Sequence, residues 1–169
     1  MTIGKRLVVL FPFAFCFFGC SSNSTEPVGV GISPRTAYVA GGQTMQFTAT
    51  VTNNSAVTWT ASGMGSVDSN GNYTAPVVTQ NSTATVTATS VKDPKVWAAA
   101  TITIIAPGVV TPTANAQVAQ YTITVPDGLS VLVQFSTDTS YGLTTWSLPA
   151  PSGGGSVPIL VAGMLGNTP

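Results

Sequence analysis

The segment Thr83-Ala84-Thr85-Val86-Thr87-Ala88-Thr89 alternates without a break between hydroxyl-bearing and apolar side chains. A period of two places every second side chain on one face of an extended backbone, so such a segment buries its apolar half only as a β-strand. Gln46-Phe47-Thr48-Ala49-Thr50-Val51-Thr52 repeats the pattern with Phe47, Ala49 and Val51 on one face, and Ala100-Thr101-Ile102-Thr103-Ile104 repeats it again. No stretch carries the spacing of an amphipathic helix. Between the alternating segments stand turn-formers: Gly41-Gly42, Asn53-Asn54, Ser69-Asn70-Gly71-Asn72 and Lys92-Asp93-Pro94. The pattern predicts an all-β chain whose residues 28–105 stack as an antiparallel β-sandwich, apolar inward and threonine outward. Val57-Thr58-Trp59 offers the large aromatic that a small core needs, and Trp59 is expected to be the main side chain between the sheets.

Composition narrows the chemistry. Among 169 residues there are five basic and five acidic side chains and no histidine, and charged residues make up 6% against about 25% in ordinary soluble domains. A neutral chain has no electrostatic footprint for nucleic acid. Without histidine, and with Glu26 as its single glutamate, the chain lacks most of the usual acid–base and metal-ligating groups. No cofactor, metal or catalytic residue is expected, and the many serines and threonines have no base to activate them.

Several local motifs read as architecture. Asp68-Ser69-Asn70-Gly71 matches the start of a calcium loop, but the further oxygen ligands and bidentate glutamate do not follow, so a hairpin turn is expected. Asp138 reads as a turn-former, and Gly153-Gly154-Gly155 as a flexible loop, since no helix start or Lys-Ser/Thr pair follows it. Asn53-Asn54-Ser55 and Asn81-Ser82-Thr83 fit the glycosylation pattern and are read as chance matches. Tyr38, Trp97, Tyr141 and Trp146 are candidates for an exposed carbohydrate or partner patch. Packing roles in a core or sheet are the expectation for them.

The first twenty residues form an address. Lys5 and Arg6 precede the apolar run Leu7 to Phe18, which is too short for the roughly 20 residues of a membrane-spanning helix and has the layout of a secretory signal. Phe17-Phe18-Gly19-Cys20 followed by Ser21-Ser22-Asn23-Ser24 resembles a bacterial lipobox and its tether, with Phe17 and Phe18 where Leu and Ala or Ser are usual. The resemblance implies a signal peptide over 1–19, lipidation of Cys20 and a tether over 20–27. It also implies membrane anchoring through the acylated cysteine and residence in the cell envelope. In a Gram-negative cell, Ser21 after the cysteine implies the outer membrane. Several acyl chains on one residue meet the requirement for stable anchoring. The only other cysteine, Cys16, lies inside the apolar run, so cleavage leaves no disulfide partner.

Ile32-Ser33-Pro34, Gly41-Gly42-Gln43-Thr44-Met45-Gln46-Phe47-Thr48-Ala49, Val57-Thr58-Trp59 and Gly71-Asn72-Tyr73-Thr74-Ala75-Pro76 together resemble bacterial Ig-like group 2 modules. The closing segments at Thr85–Ser90 and Ala100–Ile104 extend the resemblance over residues 28–105. It implies a spacer or adhesive unit of a surface protein, with no catalytic residues.

After Ala106-Pro107-Gly108 a second set of strands begins. Tyr121-Thr122-Ile123-Thr124-Val125, Ser130–Phe135, Tyr141–Trp146 and Val157–Val161 are its strand candidates. Residues 110–169 resemble the beginning of a fibronectin type III-like sandwich lacking its last two strands, so an incomplete second β-sandwich is expected. Thr113–Tyr121, Phe135–Trp146 and Gly153–Met164 are also similar to the N-terminal domain of bacterial aryl-sulfate sulfotransferases. In that family a lipoprotein signal, an Ig-like module and this domain precede a β-propeller bearing a catalytic histidine. The expectation is a non-catalytic, truncated N-terminal part of such a protein. The alternative is a complete lipid-anchored structural or adhesive stalk with no enzymatic relative.

Overall fold

The computed structural model describes residues 28–52, 56–135 and 143–162. The signal segment 1–19, the tether 20–27 and Cys20 lie outside the described residues, as do Asn53-Asn54-Ser55, Asp138 and Tyr141. Every regular element among the described residues longer than a single turn is a strand.

Nine strands build the first assembly: β1 (Val30–Ser33), β2 (Thr36–Ala40), β3 (Thr44–Gln46), β4 (Thr48–Val51), β5 (Val57–Gly63), β6 (Ser66–Val67), β7 (Asn72–Thr74), β8 (Ser82–Ser90) and β9 (Trp97–Ile105). One layer has the order β2-β9-β8-β5. The other combines the pair β1-β4 with the set β3-β7-β6. The segment read as one strand over 46–52 is divided at Phe47, whose N–H turns to the Gly71 carbonyl at 2.9 Å and so ties the two halves of this layer together. Numbered as an immunoglobulin-type sandwich, the layers are A-B-E-D against C-F-G, with β2 added beside β9.

One pairing departs from the antiparallel expectation. β2 runs parallel to β9, with Tyr38 opposite Thr103 and Ala40 opposite Ile105. The cause lies in the chain path. β1 pairs with β4 in one layer, Pro34 has no N–H to continue that ladder, and the chain crosses to the other layer with its direction unchanged.

The inward positions obey the period-two reading. Ala84, Val86 and Ala88 of β8 face the core, as do Ala100, Ile102 and Ile104 of β9, and Val86 sits opposite Ala100. The central aromatics differ from expectation: Phe47 and Tyr73 are fully buried, whereas Trp59 is only partly buried against the same cluster. Position in the sheet explains this. β5 is the last strand of its layer, so Trp59 covers a rim, while in the opposite layer Tyr73 comes from the middle strand β7 and Phe47 from the junction of β3 and β4. The Tyr73 hydroxyl donates to the Met64 carbonyl at 2.6 Å, and burial raises its pKa. Gly71 closes this corner at a φ of 85°; a side chain there would meet the Phe47 carbonyl and the Trp59 ring.

The second assembly is smaller. β10 (Val109–Pro112), β11 (Val118–Val125) and β16 (Gly155–Ala162) form a three-stranded sheet in the order β10-β11-β16. Against it lies a ribbon made of β12 (Ser130–Val131) with β15 (Leu148–Pro149) and β13 (Gln134–Phe135) with β14 (Leu143–Thr144). The register shifts along the ribbon, from Val131 opposite Leu148 to Gln134 opposite Thr144. Leu132 and Val133 therefore face Thr145, Trp146 and Ser147, a β-bulge with one extra residue. Thr145 holds it closed: its N–H donates to the Val133 carbonyl and its hydroxyl accepts the Val133 N–H, both at 2.9 Å. Val125, Val157, Ile159 and Val161 form the core, with Ile123, Val131, Val133 and Ala150 packed on it.

Candidate functional site

The Asp68 loop is a turn, as its sequence suggests. One carboxylate oxygen accepts the N–H groups of Asn70 and Asn72, each at 2.9 Å, and the other accepts the Asn72 side-chain amide at 3.0 Å. These bonds, led by that from the Asn72 side chain, lower the Asp68 pKa below 3.8 by favouring the charged form. Both oxygens are thus occupied by the protein's own donors. Among the described residues no cluster of three or more His, Cys, Asp or Glu is placed to hold a metal ion. No helix among them is long and apolar enough to cross a membrane.

The aromatic candidates depart from the packing roles expected of them. Tyr38 is 50% exposed, Trp97 60% and Trp146 90%. Tyr38 lies between the inward-facing Ala37 and Val39, Trp97 occupies an outward position at the start of β9, and Trp146 stands in the bulge. Tyr38 and Trp97 share the outer face of the β2-β9-β8-β5 layer. Across that face the register forms rows: Thr58, Thr89 and Trp97, then Thr60, Thr87 and Ala99. Ser62, Thr85, Thr101 and Thr36 form the next row, and Thr83, Thr103 and Tyr38 the one after it.

The feature that sequence reasoning missed is the joint between the two assemblies. Asn81, immediately before β8, accepts the Ala106 N–H on Oδ1 at 2.9 Å and donates from Nδ2 to the Thr124 carbonyl at 2.9 Å. A carboxamide is the side chain that offers a donor and an acceptor side by side, so Asn81 grips the connector and the second sheet at once. The connector is short, and Gly108 donates its N–H to the Tyr121 hydroxyl at 3.1 Å. Any side chain on Gly108 would overlap the Tyr121 ring. Around Asn81 opens a cleft of about 270 Å³ bordered by Thr79, Gln80, Pro107 and Thr122. Its lining, among the described residues, contains no titratable group. The partners of Asn81 lie 25 and 43 residues along the chain, and no local pattern announces them.

No family model matches the chain, and no curated protein matches it.

Proposed function

We propose that this chain is a non-catalytic, Ig-like spacer of the bacterial cell envelope, fastened to a membrane through acylated Cys20. The observation that supports this reading is the joint at Asn81. A spacer is useful when its modules keep a fixed relation, and one side chain here bonds to both the connector and the second sheet. The lipobox resemblance at Phe17–Cys20 supplies the anchor. Metabolic labelling with a fatty acid should mark the wild type and spare Cys20→Ala; equal labelling of both would remove the anchor from this reading. Asn81→Asp keeps the acceptor for Ala106 but sets a carboxylate oxygen against the Thr124 carbonyl. That variant should loosen the joint, giving the two assemblies different tumbling times in NMR relaxation while each keeps its fold.

A second reading makes the pair the N-terminal part of an aryl-sulfate sulfotransferase-like protein. The ribbon of the second assembly favours it. Leu148, opposite the core-packed Val131, is 38% exposed, and Leu143 is 58% exposed. β12 pairs only with β15 among the described strands. Such a surface suits further strands. The genomic reading frame downstream of codon 169 discriminates: a propeller there supports this reading, and unrelated genes support a stalk.

A further inference from the structure

We propose that the outer face of the β2-β9-β8-β5 layer binds an uncharged polysaccharide. The inference goes beyond the spacer role and does not depend on how the chain is anchored. Three independent observations converge on it.

The first is chemical uniformity. Every outward position of the rows between Trp97 and Tyr38 is Thr, Ser or Ala, so the face carries no charge. Nucleic acid and acidic glycans need cations for their charges, and none stands here. Protein interfaces have an apolar centre with arginine enriched; between the two rings this face has no arginine and no apolar side chain larger than alanine.

The second is the state of the hydroxyls. Those of Thr60, Thr83, Thr85, Thr87, Thr101 and Thr103 make no hydrogen bond within the described protein, whereas Thr58 bonds the Thr89 carbonyl at 3.4 Å. Their χ1 angles are stiffened by β-branching, and the sheet spaces neighbours within a row at about 4.8 Å and successive rows at about 7 Å. A ligand with repeating hydroxyls therefore meets partners that are already ordered and gives up little side-chain entropy in binding.

The third is the aromatic pair. Trp97 and the residue opposite Tyr38, Thr103, are six positions apart on β9, about 20 Å at the rise of an antiparallel strand. The two rings sit on neighbouring strands, so a single step of sheet twist separates them. The negative face of an aromatic ring attracts the polarised C–H groups of a sugar. A ligand that reaches both rings must be long and regular. A polysaccharide chain lying along β8 and β9 meets one ring at each end and hydroxyls between them.

The test uses the full chain in affinity electrophoresis through soluble β-glucan, mannan and xylan, and in sedimentation with cellulose and chitin; alginate serves as the acidic control. Retention by at least one neutral polymer, unchanged at high salt and absent with alginate, is the expected result. Trp97→Ala and Tyr38→Ala should each weaken it roughly tenfold, and Trp97→Phe should keep most of it. Thr87→Val with Thr101→Val, which preserves branching and removes two hydroxyls, should also weaken it. Both rings are exposed, so thermal unfolding of these variants should match the wild type. Trp146→Ala, on the other assembly, should retain full binding. The proposal is overturned if no neutral polymer is retained, if salt abolishes retention, if Trp97→Ala and Tyr38→Ala bind like the wild type, or if Trp146→Ala causes equal loss.

Discussion

The two halves of this chain draw on the same residues, valine, isoleucine and threonine in alternation, and reach different degrees of closure. In the first, thirteen buried side chains from two facing layers form one core. In the second, four do among the described residues, and none of these four is aromatic. The alternation of β11 and β16 is as regular as that of β8 and β9: Ile123 opposes Val157, and Tyr121 opposes Ile159. What differs is the layer opposite. β8 and β9, nine residues each, face a sheet that contributes Phe47 and Tyr73, whereas β11 and β16 face a bulged ribbon of two-residue strands. Val110, on the same face as Tyr121 by register, remains 62% exposed. Good strands are thus insufficient; a core requires a facing layer of matching length.

The sharpest way to break that contrast is to separate the halves. Residues 28–106 alone should unfold cooperatively in denaturant, and residues 110–169 alone should show a broad, non-cooperative change. A sharp two-state curve from the second segment would show that its ribbon is a sufficient layer.

Next comes the choice of central aromatic. Phe47→Ala should cost about 3–5 kcal/mol, as truncation of a fully buried aromatic does, a large share of the roughly 5–15 kcal/mol of a typical domain. Trp59→Ala, at the rim, should cost about 2 kcal/mol or less. Denaturation midpoints of the two variants in residues 28–106 give the order, and the reverse order would return Trp59 to the centre.

Tyr73→Phe keeps the ring and removes only the bond to the Met64 carbonyl. A loss of about 1 kcal/mol is expected, visible as a small midpoint shift in the first assembly with none in the second.

The smallest effect concerns pH. Because hydrogen bonds hold the Asp68 carboxyl below 3.8 in the folded state, its contribution is fully present above that unfolded value. It falls away as pH drops through the lowered folded value. Asp68→Asn should flatten the acid limb of the stability curve of the first assembly. An unaltered limb would show that the turn contributes nothing to acid sensitivity.

Much of the fold was legible because one face of each long strand is buried, and burial imposes a period of two on the residues themselves. Thr83–Thr89 and Ala100–Ile104 lie within the strands observed. The parallel partner of β9 was not legible, since its direction depends on a crossing between layers rather than on any residue in Thr36–Ala40. Nor was the burial of Tyr73: it follows directly on the turn-formers Ser69-Asn70-Gly71-Asn72, and alternation alone does not rank inner strands above edges. Asn81 was read as a chance acceptor motif because its meaning lies in two carbonyl and amide partners brought to it by the fold. Packing is the expectation for the exposed aromatics, whereas Tyr38 alternates with the buried Ala37 and Val39 and so points outward.

The parallel placement of β2 and β9 has a consequence for load. β9 is the last strand of the first assembly and β2 follows β1 at its other end; once β1 has left β4, tension applied at residues 28 and 106 pulls β2 and β9 along their axes in opposite senses. The bonds joining Thr36–Ala40 to Thr101–Ile105 are then sheared together instead of being peeled one after another. Forced unfolding is governed by the unfolding rate, and a sheared patch gives way only when all its bonds fail at once. In a single-molecule pulling trace the first assembly should yield after the second, at the higher force.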